Sequence, residues 1–317
     1  MKASAPGPVT AWWLALRPRT LPAVMAPVLT GQWLASQQGG FDGSLALLIL
    51  LCALSLQLAV NLANDVFDFR SGVDRGERLG PARAAQQGWL SERQLFFGVG
   101  VALLIAALSG IWLVVVGGCW FLLLGSLSIV AALAYSGGPF PLASNGLGEL
   151  TVFLFFGLLA VTGGFYLQTG FLTMASWLYG GALGSLTAAI MLVNNLRDRS
   201  SDAQAGKHTL ALVLGERFSR WLYVLLIVPP SALLLASPLA ITVFLLCALA
   251  LARTVFVRSG GELNRQLGQT VLLCMVFALL AMLAGIPDMA ATTDVAVASD
   301  VAVANDVVAD QTVPDRK

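Results

Sequence analysis

Two clusters of acidic and amide side chains stand at the ends of otherwise apolar segments. The first cluster runs from residue 61 to residue 68 and the second from 194 to 202, and the two nearly repeat each other. On a helix, side chains three, four and seven positions apart share one face. We therefore predict two columns of oxygen-bearing side chains: Asn61, Asn64 or Asp65, and Asp68 in the first, and Asn195, Asp198 and Asp202 in the second.

Oxygen clusters of this kind suit a hard divalent cation. Mg2+ prefers oxygen ligands, and it usually keeps several waters while it bridges a few carboxylates to a substrate phosphate. The clusters therefore predict a Mg2+-dependent enzyme for a diphosphate. The predicted metal ligands are Asn61, Asp65, Asp68, Asp198 and Asp202.

A polar loop follows each cluster and carries cations. Residues 69–83 include Arg78 and Arg83 among several glycines, and residues 205–210 include Lys207. Arginine forks and the exposed backbone N–H groups of glycines suit a diphosphate, which needs both neutralisation and close approach. The alternative is that these charges only fix membrane topology. Acidic and amide groups at helix ends inside a membrane domain are costly unless they are used, which favours a functional site.

The composition is that of an integral membrane protein. Hydrophobic residues make up 57% of the chain, charged residues 11%, and the mean hydropathy is +0.81, whereas soluble domains have about 25% charged residues. The apolar runs are continuous and rich in Leu and Ala, which favours helices over a β-barrel. We predict an all-α bundle of nine transmembrane helices, at residues 21–36, 45–62, 95–116, 120–135, 147–167, 171–193, 221–235, 239–256 and 270–284.

The basic residues predict the orientation. With nine spans and an internal N-terminus, the arginines of segments 17–19, 70–93, 197–220 and 253–265 all fall on one side. This positive-inside pattern places both acidic clusters at the cytoplasmic face of a bacterial inner membrane, with the lipid bilayer as surroundings. Because the basic residues accompany the acidic clusters and no free basic tail exists, they give no support for nucleic-acid binding.

Three regions are predicted along the chain. Residues 1–10 form an N-terminal cytosolic stretch, and residues 11–287 form the transmembrane domain. Residues 288–317 contain a six-residue repeat that begins at Asp294, Asp300 and Asp306. This repeat has no large apolar residues with which to offset chain entropy, so we expect the tail to be disordered.

Several runs together resemble the UbiA superfamily of intramembrane prenyltransferases. They are Asn61 to Asp68 with Gly72 and Asp74, residues 79–83 (LGPAR), residues 194–207, the N-terminal RPRTLP at 17–22, GLGE at 146–149, FFG at 155–157 and YLQ at 166–168. The likeness covers about residues 11–285 and is greatest to the branch that prenylates 1,4-dihydroxy-2-naphthoate. One departure is Ala143-Ser144-Asn145, where relatives usually carry an aromatic residue.

The resemblance implies both a fold and a reaction. The fold is a nine-helix bundle with a central cavity open sideways to lipid, in which the two motifs bind Mg2+ and a polyprenyl diphosphate. Asp74 and Lys207 match the loops that follow the motifs. The implied reaction transfers the polyprenyl group to 1,4-dihydroxy-2-naphthoate with loss of carbon dioxide, which gives demethylmenaquinone.

The charges that develop during this reaction suggest roles for further residues. Mg2+, Lys207, Arg78 and Arg83 would stabilise the departing diphosphate. The Tyr135 ring would face the allylic cation, although an interfacial tyrosine is an equal alternative. Arg17 and Arg19 are candidates for binding the acceptor carboxylate, while cytosolic anchoring of the first helix is the default interpretation of both.

Two alternative functions stay open. One is prenyl transfer to another aromatic acceptor, such as 4-hydroxybenzoate. The other is an ion-coupled transporter, because duplicated acidic clusters also occur in transporters. The position of the clusters, at helix ends beside arginine-rich loops and away from mid-bilayer, argues against transport.

Overall fold

The computed structural model describes residues 6–72 and 79–286, and within these ranges all regular secondary structure is helical. This confirms the predicted all-α class. The helices in chain order are α1 Pro8–Leu16, α2 Pro22–Gln37, α3 Gly43–Arg70, α4 Glu92–Gly117, α5 Cys119–Ala134, α6 Gly148–Thr169, α7 Met174–Arg197, α8 Arg199–Gln204, α9 Leu210–Ile227, α10 Pro238–Val257 and α11 Leu263–Ala284. Helix α6 is composite, because a π-helical segment, Phe153–Gly163, separates its two α-helical ends.

Six segments of the described residues are long and apolar enough to cross a membrane. They are α3, α4, α6, α7, α10 and Gly260–Ala284, which contains α11. The other predicted spans correspond to α2 and α5, of 16 residues each, and to α9. The predicted count of nine spans is therefore not confirmed.

Helix α9 differs from its predicted span, residues 221–235. It begins at Leu210, is kinked at Gly215, where φ is +75°, and ends at Ile227, before a 3-10 turn at Pro229–Leu234. The start lies before the predicted span because Glu216, Arg217 and Arg220 interrupt the apolar run, although an amphipathic helix tolerates such residues on its polar face. The early end follows from Pro229 and Pro230, since proline lacks the N–H that a helix interior needs.

The main core lies between α2, α6, α7 and helices α9 to α11. Its largest fully buried side chains include Tyr179, Tyr223, Phe244 and Phe277. A second cluster joins α1, α3 and α4 to residues 84–90. Large apolar side chains remain exposed around the outside, among them Leu108, Ile111 and Trp112 on α4. Exposed apolar surface of this extent is expected where helices face lipid.

Glycines allow α6 to approach α7 closely. A Cβ atom at Gly157 would lie 2.1 Å from the Cα atom of Gly184, so only glycine fits there. Small residues at such crossings let helix backbones pack directly in membranes. The two helices follow each other along the chain and run antiparallel, so this packing also brings the beginning of α6 against the end of α7.

A central cavity is not confirmed by the described residues. Two open grooves lie at the end of the bundle that carries the acidic clusters. One has a volume of about 370 Å³ and is lined by Arg197, Arg199 and Glu216. The other, of about 390 Å³, is lined by Phe69, Trp89 and Glu92.

Candidate active site

The first acidic cluster lies on the last turns of α3. The helix is continuous from Gly43 to Arg70, which confirms the predicted helical setting. Asn61, Asp65 and Asp68 are buried and Asn64 is partly buried. Each of these groups has its own protein partner.

Asp65 holds the backbone of the loop that follows α3. One carboxylate oxygen accepts a hydrogen bond from the Ala84 N–H at 2.9 Å, and the other accepts one from the Ala85 N–H at 3.2 Å. The residue is fully buried. Hydrogen bonds to a charged acceptor are stronger than neutral ones, so Asp65 fixes the end of the polar loop against α3.

Asp68 is paired with Arg83, a predicted substrate-binding cation from the same loop. The two side chains are only 12% and 9% exposed, and Arg83 also donates to the backbone carbonyl oxygen of Asn64. The Asn64 amide oxygen in turn accepts from the Ser136 hydroxyl at 2.6 Å. The first cluster therefore has a cation and a hydroxyl beside it.

Asn61 faces a different part of the molecule. Its amide nitrogen donates to the Leu16 carbonyl at 2.8 Å and to the Thr20 hydroxyl at 3.0 Å. Its oxygen accepts from the Gln57 amide at 3.0 Å. Asn61 thus ties α3 to the turn between α1 and α2. Arg19 lies in that turn and is exposed.

The second cluster spans a break between two helices. Helix α7 ends at Arg197 and α8 begins at Arg199, while Asp198 has φ −91° and ψ 8°. The predicted column of Asn195, Asp198 and Asp202 is therefore bent at Asp198, although the Asp198 N–H still donates to the Asn194 carbonyl and the Asp202 N–H to the Asp198 carbonyl. The break separates Asn195 on α7 from Asp202 on α8.

Asp202 is held by the loop that follows it. The Lys207 ammonium lies 3.2 Å from its carboxylate, and the Lys207 backbone N–H donates to the Asp202 carbonyl at 3.0 Å. Burial raises the pKa of Asp202, while Lys207 lowers it and the charges of Asp198 and Asp68 raise it. Asp68 on α3 thus lies within electrostatic range of Asp202 on α8, so the two clusters lie near each other.

Arg197 organises the second cluster, and sequence reasoning did not assign it to the site. Its side chain is 3% exposed and binds both oxygens of Asp198, at 2.8 and 2.5 Å. It also donates to the amide oxygens of Asn194 and Asn264, each at 2.8 Å. The amide nitrogen of Asn264, on α11, donates a hydrogen bond to the Leu79 carbonyl at 2.6 Å. A cation at the end of an apolar helix, directly before an aspartate, is the signal that could have identified it.

Tyr135 lies at the end of α5, between the two clusters. It is 8% exposed, and its hydroxyl donates to the Met191 sulfur at 3.0 Å. A Cβ atom at Gly148 would lie 3.5 Å from this hydroxyl oxygen. The charges of Glu149 and Asp68 both act on the same hydroxyl. The Tyr135 ring is therefore buried within the protein.

Of the remaining predicted site residues, the structure describes only Asn195. Asn195 donates from its amide nitrogen to Glu149 at 2.9 Å. Asp74 and Arg78 lie outside the described residues. Within residues 6–72 and 79–286, no group of three or more acidic, histidine or cysteine side chains comes together closely enough to hold a metal ion.

Comparison with known proteins identifies related sequences. Residues 24–266 match the family model described as the UbiA prenyltransferase family. The 1,4-dihydroxy-2-naphthoate octaprenyltransferase of Escherichia coli is 42% identical over 65% of this chain and 69% of that protein. The enzyme of the same name from Mycobacterium tuberculosis is 36% identical over 84% of this chain and 94% of that protein.

Solved structures share the fold. A UbiA homologue from Aeropyrum pernix superposes with a TM-score of 0.62 at 18% identity, covering 86% of this chain and 97% of that one. A UbiA homologue from Archaeoglobus fulgidus bound to GPP and Mg2+ gives a TM-score of 0.60 at 18% identity, over 86% and 99%. At these identities the likeness is one of fold.

Replacing Arg197 tests its role as the organiser of the second cluster. Arg197→Met removes the guanidinium that donates hydrogen bonds to Asp198, Asn194 and Asn264. We expect the free energy of unfolding to fall by roughly 3 kcal/mol, which is the lower end of the cost of breaking a buried ion pair. The lower end applies because the Asp198 side chain is 17% exposed. The measurement is unfolding in mixed micelles with increasing dodecyl sulfate. Arg217→Met, at an exposed position on α9, is the matched control. Equal stabilities of the two variants would refute this role.

Proposed function

Because the chain belongs to the UbiA prenyltransferase family and is an aromatic prenyltransferase, we propose that it prenylates 1,4-dihydroxy-2-naphthoate. The polyprenyl group comes from a polyprenyl diphosphate, the acceptor loses carbon dioxide, and the product is demethylmenaquinone. The observation that carries the proposal is the approach of two acidic clusters from different helices, each with a cation beside it. Arg83 forms a salt bridge with Asp68, and Lys207 forms one with Asp202.

The carboxylates of the two clusters are the ligand type that the hard cation Mg2+ prefers. Asp68, Asp198 and Asp202 are each paired with an arginine or a lysine, and among the described residues no three acidic side chains lie close enough together to hold one ion. We propose that Asp68, Asp198 and Asp202 come together on Mg2+ when the diphosphate binds. Asp65 and Asn61, also predicted as ligands, have their oxygens bonded to Ala84, Ala85 and Gln57. We propose that these two position the ligands. When bound, Mg2+ supplies neutralisation of the diphosphate; a related structure from Archaeoglobus fulgidus is described as bound to GPP and Mg2+.

The leaving group is stabilised by charges that the fold holds in place. Departure of diphosphate from an allylic carbon separates a cation from a polyanion. Lys207 and Arg83 bind that anion as its charge develops, since fixed charges in a site that excludes water need no reorganisation. The buried ring of Tyr135 faces the allylic cation. Arg78 and Asp74 remain predicted members of the same loop.

The acceptor ring then captures the cation. An electron-rich ring carbon that carries a carboxylate forms the new bond, and the carboxylate leaves as carbon dioxide. Arg19 remains the predicted partner of the carboxylate, with anchoring of the α1–α2 turn as its alternative role because it is exposed. The runner-up acceptor is 4-hydroxybenzoate. Membership in a prenyltransferase family removes the support for a transporter.

We propose that the protein spans a bacterial inner membrane nine times around a central cavity open to lipid. In addition to the six long apolar segments, helices α2, α5 and α9 correspond to the other three predicted spans. The acidic clusters, Tyr135 and the arginine-rich loops belong to one end of the bundle. By the positive-inside rule, that end faces the cytoplasm.

The fate of the acceptor carboxyl group tests the proposed reaction. With acceptor labelled at the carboxyl carbon, we expect labelled carbon dioxide to appear in step with prenylated product. Membranes that contain the wild-type chain are compared with membranes that contain Asp68→Asn, in which we expect turnover to fall at least about 100-fold, as for a lost transition-state electrostatic contact. Product that keeps the label, or turnover only with 4-hydroxybenzoate, would contradict the proposed acceptor.

Reporter fusions test the orientation. A reporter fused after Gly285 is expected outside the cytoplasm, and one inserted near Ala205 is expected inside, because α9, α10 and α11 give three crossings between the two positions in a nine-span topology. The readouts are an alkaline phosphatase fusion and a fluorescent protein fusion at each site. Cytoplasmic signals at both positions would mean that the span count is wrong by one.

A further inference from the structure

Glu149 is a buried carboxylate to which the reaction above gives no role. It lies in the first turn of α6 and is 5% exposed. The glycine packing of α6 on α7 places it against the end of α7, beside the second acidic cluster. An acidic side chain at such a position is seldom retained in a membrane domain unless it has a use.

The two oxygens of Glu149 differ in their surroundings. Oε1 accepts a hydrogen bond from the Asn195 amide at 2.9 Å. Oε2 is buried, and no described residue donates a hydrogen bond to it. A buried polar atom without a partner costs about 1–3 kcal/mol, and more when it is charged. One oxygen is thus held in place while the other is left for a donor from outside the protein.

The free oxygen lies within the candidate active site. The charge of Glu149 acts on the Tyr135 hydroxyl, as does that of Asp68 in the first cluster. The Tyr135 hydroxyl is directed to the Met191 sulfur, which is a weak acceptor. Glu149 therefore stands next to the ring that faces the allylic cation, where the aromatic acceptor has to approach.

We propose that Glu149 accepts a hydrogen bond from the acceptor hydroxyl next to the attacked carbon, and takes its proton as the new bond forms. This inference rests on the proposed function. A dihydroxynaphthoate is a hydroxyl donor, and a phenol that loses its proton becomes a stronger carbon nucleophile. General base catalysis of this kind contributes typically about 10²–10⁴-fold.

The atoms and charges balance over the cycle. The ring carbon that bears the carboxylate bonds to the allylic carbon, whose bond to the diphosphate oxygen breaks with the electron pair on diphosphate. The neighbouring hydroxyl passes its proton to Glu149 and becomes a ketone. The carboxylate then leaves as carbon dioxide, and its bonding pair regenerates the ring. The oxygen recovers the proton from Glu149, so the carboxylate is ready for another turnover.

Glu149→Gln separates this role from a purely structural one. The glutamine keeps an oxygen for the Asn195 amide, so a structural tie between α6 and α7 persists, but its other atom is a donor instead of an acceptor. We expect kcat with 1,4-dihydroxy-2-naphthoate to fall at least about 100-fold, with binding of the polyprenyl diphosphate unchanged. Glu92→Gln, at a partly exposed carboxylate on α4 that pairs with Arg70, is the matched control and should retain full turnover.

An acceptor analogue gives a second test that uses the wild-type chain. In the analogue, the hydroxyl next to the attacked carbon carries a methyl group and has no proton to give. Wild type should prefer the natural acceptor by at least about 100-fold, and Glu149→Gln should lose most of this preference. If Glu149→Gln does not fold, Glu149→Asp with the same two acceptors takes its place and should keep the preference at reduced kcat.

The outcomes distinguish this inference from the proposed function. If wild type prenylates the naphthoate and Glu149→Gln does so equally well, the role of Glu149 is refuted while the function stands. Equal turnover of the methylated analogue by wild type refutes it as well. If wild type forms no prenylated product with the naphthoate, the proposed function itself fails.

Discussion

The constraint on which the site depends is that carboxylates inside an apolar bundle need partners. A buried charge left without one costs several kcal/mol. The partners come from the loops that follow the two clusters and from the helix end itself, so these loops have to fold back onto the bundle. The pairs are Asp65 with the N–H groups of Ala84 and Ala85, Asp68 with Arg83, Asp198 with Arg197, and Asp202 with Lys207.

The same requirement explains how distant helices meet at one place. Arg197 joins the end of α7 to Asn264 on α11, and Asn264 reaches the Leu79 carbonyl in the loop after α3. Gly80 packs on this guanidinium so closely that a Cβ atom would lie 2.9 Å from it. Glycine packing between α6 and α7 adds Glu149 beside Asn195. The groups that we propose to bind anion, cation and acceptor thus converge through a few buried polar contacts.

Sequence reasoning predicted what depends on local pattern. The apolar runs indicated helices, and the cluster on α3 lies on a continuous helix because its spacing is helical throughout. It could not predict features that depend on contacts between residues far apart in the sequence. The helix break at Asp198 accompanies the binding of Asp198 by Arg197, which also contacts Asn264, 67 residues away. The sequence does not assign Glu149 to the site, because its partner Asn195 lies 46 residues further along the chain.

The central claim is that the two clusters form one Mg2+-dependent diphosphate site, and calorimetric binding of inorganic diphosphate tests it most directly. Purified wild-type protein should bind diphosphate with Mg2+ present and lose binding in EDTA. Asp68→Asn and Asp202→Asn, which lie on different helices, should each weaken binding at least about tenfold, because contacts to charged groups contribute about 1.5–3 kcal/mol. Unchanged affinity in either variant, or binding that persists in EDTA, would contradict a shared site.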